Sequence, residues 1–581
     1  MSAPDTEKAA TQSKLNTVQV PVLRTDSFLD EDRVKLTWRS WMVVFISCVA
    51  IFSQVFVVVA AGSVIAFIIR DLGEPTIAGW IIQGPLLMQS VLSPVIGRLS
   101  DVLDRKYLAG IPPIIAFVGS VVSAKAESMA VLIGGGVLIG TTLSTISIVQ
   151  AIPSEILPLK YRALANGFAF IAGSFGGLVG VLGSGGVTNI NPSGWRDIFW
   201  IQAAFHGATA VGLLGFYWPP PSDYPQLNLR QLVWACDPIG SSLMTAGLTL
   251  LLLGFDWAGG TFPWHNAHVV APIVTGAILL LFFGLYEWKG RTDGIVAHVF
   301  FSRGPNFALS VFAFAVEGFI FYSAVNSIVP QIVLNLGFET NAWRISVRQL
   351  SYNIPLIIVS VPVTLYATKY KDLKSPLLVT FFFFLVVSIC YATITPKLNH
   401  AQIGYNVLAG IGQSGPLTLI VALTQFTAPH QFLSTATGLA FSARAIGGAF
   451  GSAILDAIIN NKLASYDADV GAAAVAAGLP TSSVPAFLQA LAGGMASTVP
   501  GATDAVIAAA NAASHNAYAR AYRFSWIPII PFVLLGIACI VCLQGVAELM
   551  TEHVEATVEH VEHVGGRRPN HNKQDEEKAR A

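Results

Sequence analysis

From residue 41 to residue 543 the chain alternates long apolar runs with short polar connections. The runs cover 41–69, 77–97, 107–124, 128–152, 163–187, 198–218, 238–255, 269–286, 307–330, 350–368, 375–395, 402–423, 432–460 and 524–543. Most approach the roughly 20 residues that a helix needs to cross about 30 Å of hydrocarbon. The first six contain no Asp, Glu, Lys or Arg. Lipid offers the backbone no hydrogen-bond partners, so each run must satisfy its own amides as a helix. The short alternating segments of a membrane barrel are absent. The pattern predicts an all-α polytopic membrane protein with 14 transmembrane helices. A charged stretch of 40 residues precedes the first run, which therefore reads as a retained span and not as a cleaved signal.

The polar positions divide the chain further. Residues 1–40 and 546–581 are expected to be cytoplasmic tails, disordered for the most part. Residues 219–237 form a Pro-rich linker after six spans, and 238–288 hold two extra central helices between six-helix bundles at 41–218 and 289–545. Residues 461–523 are Ala-rich and broken by Pro480, Pro485 and Pro500. They are expected to form short amphipathic helices in an outer loop. Twenty-three Lys and Arg fall in the tails and even-numbered connections, nine in the odd-numbered ones, and Arg444 lies within a span. Positive charge favours the cytoplasmic face, so both termini are expected inside.

Composition agrees with this picture and narrows it. The chain is 54% hydrophobic and 11% charged, and its 33 basic residues balance 33 acidic ones. Nothing in that balance points to a nucleic-acid partner. Cys48, Cys236, Cys390, Cys539 and Cys542 all lie in or beside apolar runs, which implies helix packing and no disulfide framework. No phosphate-binding loop of the form G-x-x-x-x-G-K-[ST] occurs, so energy must come from an ion gradient, a partner or the substrate's own gradient. The close histidine pairs, His265/His268 and His560/His563, fall on opposite sides of the membrane, so they build no shared metal site. No cofactor and no enzymatic activity are expected.

The connection after the second span reads Gly97-Arg98-Leu99-Ser100-Asp101-Val102-Leu103-Asp104-Arg105-Lys106. Gly97 permits close helix approach. Asp101 can meet a helix end or the opposite bundle, and Arg105 an acid across the loop, contacts that hold one conformation and release in another. The run resembles the signature loop of the major facilitator superfamily, with Asp104 where that family has Gly. Pro153-Ser154-Glu155 and Pro158 to Arg162 resemble a second family segment, in which Glu155 and Arg162 are expected to pair at the gate. Gly173, Gly176, Gly177 and Gly180 resemble the glycine-rich fifth span of the family's antiporters, or simply pack helices closely. Gly194-Trp195-Arg196 resembles the entry to span six. Asp237-Pro238-Ile239-Gly240, Gly254, Gly259-Gly260, Glu287, Glu317-Gly318 and Pro330-Gln331 are similar to fourteen-span drug:proton antiporters, most of all to the fungal trichothecene efflux pump family. That resemblance implies a major facilitator fold of two six-helix bundles plus two central helices, a fungal source, and proton-coupled export of amphipathic small molecules at the plasma or vacuolar membrane. Siderophore–iron transporters share the plan, and Tyr466, Tyr518 and Tyr522 in the outer loop would suit a ferric chelate. A non-transporting nutrient receptor fits less well, because the tails are short.

Charge inside a span is costly and marks function by default. Glu317, in span nine, is the best acid for carrying a proton, or else a buried acid bonded to a neighbouring helix. Arg444 sits in Arg444-Ala445-Ile446-Gly447-Gly448, where it can pair with an acid, attract an anionic substrate, or only pack. His206 can relay protons or be a satisfied core histidine. The span-four arginine of family antiporters is absent; Gly136, four residues before Gly140, stands in its place. Gln83, Gln89, Gln150, Asn326, Gln331, Gln413 and Gln425 are candidates to line a small-molecule cavity, about half of them facing it. Pro85, Pro94, Pro355, Pro362 and Pro416 are candidate kinks.

Overall fold

A computed structural model describes residues 37–63, 65–74, 77, 80–103, 105–191, 193–219, 228–258, 262–302, 304–339, 342–492 and 495–551. Asp104, Gly259, Gly260, His560, His563, most of both tails and much of the linker lie outside them. Among the described residues, 14 helices are long and apolar enough to cross a membrane, and they overlap the fourteen apolar runs one for one. Among the described residues, β-pairing is limited to a lone bridge between Ala258 and Phe262.

The first half comprises α1 (Trp38–Ser63), α2 (Ile65–Leu72), α3 (Trp80–Val102), α4 (Arg105–Ala124), α5 (Met129–Ser144), α6 (Ile146–Ile156), α7 (Arg162–Ile190) and α8 (Trp195–Phe216). A short α9 (Leu229–Ala235) leads into a hairpin of α10 (Pro238–Trp257) and α11 (Ala267–Lys289). The second half begins with α12 (Asn306–Gly318), a π-helical stretch (Phe319–Ile328) and α13 (Val329–Asn335). It continues through α14 (Ala342–Tyr370), α15 (Lys374–Tyr391), α16 (Asn399–Gln413), α17 (Pro416–Thr427) and α18 (Leu433–Lys462). Each half packs around its own apolar core. The halves meet along two seams, α3 against α18 and α7 against α14. The hairpin packs over the first seam: Met244, Leu248 and Leu252 share a cluster with Val91 of α3 and with Ile446 and Ala449 of α18.

Three spans are broken near mid-membrane, a feature that hydropathy does not reveal. Span four changes helix at Thr145, and the side-chain amide of Gln54 on α1 donates at 2.6 Å to the Thr142 carbonyl, which also accepts from the Thr145 N–H and hydroxyl. Span twelve breaks at Gly415-Pro416. Pro416 occupies the first turn of α17, where its missing N–H costs nothing; it therefore starts a helix instead of kinking one. Span nine carries the ten-residue π-helical stretch, a form that concentrates at functional sites. Pro85 and Pro94 lie inside α3, and Pro355 and Pro362 inside α14, as expected.

Residues 461–523 hold α19 (Tyr466–Ala476), α20 (Val484–Ala492) and α21 (Asp504–Trp526), which leads into α22 (Ile529–Val541) of the last span. Two of them are short, with 11 and 9 residues, whereas α21 is longer than expected, with 23. Its Ala-rich sequence favours helix throughout, and Thr503 caps it by accepting from the Val506 N–H. The segment has its own core of Val470, Ala474, Leu479, Phe487, Val506 and Ala510.

Candidate transport site

Residues 97–103, 105 and 106 lie where the halves are in contact, at what we term the gate face. A Cβ on Gly97 would stand 2.5 Å from the Ser434 carbonyl oxygen, and one on Gly438 would stand 2.5 Å from that of Ser93. Only glycine lets α3 and α18 close this far. Asp101 reaches across to the start of α18 and accepts from Ser434 N–H (3.1 Å), Thr435 N–H (2.7 Å) and Thr435 Oγ1 (2.7 Å). A carboxylate at a helix N-terminus meets both unsatisfied amides and the positive end of the dipole. Arg105 bonds Asp101 at 2.7 Å and is salt-bridged to Glu155. Lys106 places its ammonium over the Trp218 ring.

Glu155 is held by Arg105, while Arg162 donates to the Gln425 carbonyl at 3.1 Å and lies over the Phe426 ring. Beside Arg162, Gln150 donates to Asn166, and Asn166 to Gln425, each at 2.9 Å. Ser442 adds a bond to the Ser90 carbonyl at 2.5 Å.

Above this closed layer lies a cavity of about 1300 Å³, counting its open mouth. It runs from Gln89 and Gln150 at mid-depth to Val59, Val181 and Val329, toward the ends of α1, α7 and span nine that lie away from the gate face. Its wall is aliphatic and aromatic, with Phe170, Phe321, Tyr322, Tyr352 and Phe441. Amides punctuate it: Gln89, Gln150, Asn326 and Gln413 among those expected, and Gln54, Gln349, Asn353 and Asn406 besides. Gly173 and Gly177 line it too, while Gly176 and Gly180 press α7 against the α1 backbone at Phe52, Phe56 and Ala60. A largely apolar cleft with a few placed polar groups is the usual design for a small organic ligand.

The one charged residue among the lining groups is Arg444. It grips Glu317 with both arms, Nε to Oε2 at 2.5 Å and Nη2 to Oε1 at 3.0 Å, and donates to Tyr322 Oη at 2.7 Å. Gln413 donates to Glu317 Oε1 at 2.5 Å. The guanidinium is boxed by the Phe314, Phe321 and Tyr322 rings. Glu317 itself is fully buried and stands behind Arg444, outside the cavity wall. The glycines beside the arginine make this possible: a Cβ on Gly318 would collide with the Arg444 carbonyl, and one on Gly447 with that of Ala315. Two residues singled out separately, 127 apart in sequence, thus form one unit. Three cavity-lining side chains keep a buried polar atom without a partner: Gln54 Oε1, Gln413 Oε1 and Tyr352 Oη.

The other candidates lie elsewhere. Gln83 is exposed, and Gln331 is bonded near Ser327 and Tyr522. Gln425 belongs to the gate layer. His206 is buried in the first half, off the cavity wall, with neither ring nitrogen bonded. Tyr518 lies against the Tyr466 ring and stacks on that of Tyr522, and the Tyr466 and Tyr522 hydroxyls bond Ser514 and Asn335. All five cysteines are free. Sequence reasoning missed Gln54 and Tyr352, whose neighbours give no signal. It also missed a buried network in which Arg348 bonds Gln402 at 2.6 Å, and Gln402 bonds Tyr391 and Asn406.

Residues 44–452 match the family model described as Major Facilitator Superfamily. The chain belongs to the major facilitator superfamily. It is 28% identical to the MFS-type transporter prx5 of Penicillium rubens over 94% of this chain and 98% of that one. It is 22% identical to the trichothecene efflux pump TRI12 of Fusarium sporotrichioides, over 86% and 85% of the two chains. Among solved structures, the proton:xylose symporter XylE bound to 6-bromo-6-deoxy-D-glucose shares the fold, with a TM-score of 0.51 and 12% identity over 88% of this chain and 98% of that one. The protein is therefore a multi-pass membrane transporter of this superfamily, with relatives that are fungal, and is not an enzyme.

Proposed function

We propose that this transporter exports amphipathic small organic molecules in exchange for protons, from a plasma membrane in which both termini face the cytoplasm. One observation carries the reading: Arg444, the only charged side chain among the described residues of the cavity wall, is neutralised from behind by buried Glu317. A proton reaching Glu317 would convert the ion pair into a neutral acid beside an unbalanced guanidinium. Burying that charge is costly, so Arg444 must then reorganise at the cavity wall where substrate sits. Substrate and proton thereby compete for one unit, which is the requirement for exchange. The apolar wall suits a greasy scaffold, and the unpartnered amide and hydroxyl groups suit its polar substituents. The likeness to a trichothecene efflux pump supports this direction and substrate class.

The test is efflux from cells loaded with a panel of amphipathic toxins and dyes. Cells expressing the protein are expected to lose at least one compound faster than cells lacking it, and to stop when the pH gradient is dissipated. Glu317→Gln is expected to abolish gradient-driven efflux. Efflux that continues without a gradient, or in that variant, would overturn the coupling assignment. Unchanged accumulation across the panel would overturn the export assignment.

A further inference from the structure

The foot of the α10–α11 hairpin carries a pair of buried acids that the cavity does not use. Asp237 precedes α10 in a left-handed conformation (φ 52°) and is fully buried. Its Oδ1 accepts from Gly240 N–H at 3.1 Å and its Oδ2 from Ile295 N–H at 3.3 Å, and Arg291 Nη1 stands 3.8 Å from Oδ1. Glu287, near the end of α11, is 3% exposed. Its Oε2 accepts from Val296 N–H at 3.0 Å, whereas Oε1 has no donor among its neighbours. The two carboxyls lie side by side: a Cβ on Gly240 would run into both Asp237 Oδ2 and Glu287 Oε1. Two glycines hold the space for Glu287: a Cβ on Gly240 or on Gly294 would come within 2.6 Å of Glu287 Oε1.

We propose that Asp237 and Glu287 share one proton, forming a proton-binding site at the base of the hairpin, on the gate face and away from the cavity. Asp237 has two backbone donors and a guanidinium, the surroundings of an ionised carboxylate. Glu287 Oε1 lies beside that carboxylate with no donor of its own, and two adjacent buried carboxylates cannot both stay charged. A proton on Oε1 supplies the missing donor and completes the pair.

The surrounding groups fit a single proton better than a metal cation. Arg291 already brings positive charge and also binds Asp293 at 3.0 Å and the Trp234 carbonyl at 2.5 Å. The neighbouring titratable groups are Tyr286 on α11, Cys236 beside Asp237, and His298, whose ring nitrogen meets the Glu287 carbonyl at 3.0 Å. From α3, Arg98 donates to the carbonyls of Ala235 at 3.0 Å and Asp293 at 2.9 Å, on either side of the pair. The same guanidinium lies 4.7 Å over Phe432, at the entry to α18. The loaded pair draws the two feet of the hairpin together where Arg98 holds them. Loss of the proton sets two negative charges against each other and spreads the carbonyls that Arg98 grips. The hairpin thus senses pH on the gate face, independently of Glu317.

The test uses the full chain in detergent or lipid discs, followed by infrared spectroscopy and thermal unfolding from about pH 6 to about pH 9, well above the ordinary Glu value of about 4.3. Wild type is expected to show the band of a buried protonated carboxyl at neutral pH, lost on alkalinisation. Its Tm is expected to fall over the same range, because the folded state retains a proton that the unfolded chain releases. Glu287→Gln, which keeps a donor toward Asp237, is expected to lose both the band and the fall in Tm. Glu317→Gln should keep both. Should Glu287→Gln fail to fold, Asp237→Asn is expected to shift or abolish the band. Absence of the band in wild type, or a band and a Tm profile unchanged in the Glu287 and Asp237 variants, would overturn the proposal.

Discussion

The Glu317–Arg444 unit separates stability from coupling. Removing one partner of a buried ion pair typically costs about 3–5 kcal/mol, because the other charge is left uncompensated. Arg444→Ala is expected to lower the Tm of the purified protein accordingly and to stop transport. A neutral pair, Glu317→Gln with Arg444→Gln, is expected to recover much of that stability with no recovery of gradient-driven efflux. Recovery of efflux in the neutral pair would show that the charges serve packing alone. A second residue-scale expectation concerns Asp71, outside the membrane spans. Hydrogen bonds from Arg196 and from the Trp195 indole hold its carboxyl below the usual range. Its contribution is therefore present above the ordinary Asp value and is lost as pH falls through the lowered one. Asp71→Asn is expected to flatten the acid limb of the Tm profile slightly, since the pair is partly exposed and screened. At this scale the sequence was half readable. Glu317 and Arg444 stand out because charge is rare in apolar runs, yet their partnership crosses 127 residues and has no local signature. Polar amides are less informative, since an apolar run shows that an amide is buried but not which way it faces. Gln89 and Gln150 reach the cavity, whereas Gln83 and Gln425 do not.

Helices are the best-read level of this protein, and their interruptions the least. Fourteen apolar runs became fourteen spans because hydrocarbon leaves the backbone no alternative. The breaks at Thr145 and Gly415 and the π-helical stretch at Phe319–Ile328 leave hydropathy unchanged, so no window average could show them. Glycines carry the element-scale prediction. Substituting Gly97 or Gly438 with Val would put a branched side chain into the backbone of the opposing helix. Either variant is expected to fold but to disfavour closure at the gate face. The check is thiol labelling of a cysteine introduced beside the gate layer, which should become more reactive than in wild type. Gly176→Leu acts elsewhere, forcing α7 away from the Phe52 carbonyl of α1, and is expected to reduce stability more than it shifts conformation.

For the whole molecule, the gate layer defines one state of a two-state cycle: shut on the face of residues 97–103, 105 and 106, with the cavity beyond that layer. Ser442 and Ser90 meet across the two halves in that state. Cysteines at both positions, in a chain otherwise free of them, are expected to cross-link under oxidant, halt transport and recover with reductant. Continued transport in the cross-linked protein would exclude rocking of the halves about this contact. The hairpin gives the molecule an asymmetry that paired six-helix bundles lack. It roofs the α3–α18 seam and leaves the α7–α14 seam without such a cover among the described residues. One flank of the molecule is therefore two helices deep, and the other presents the packed line between its halves with no second layer of described helix over it.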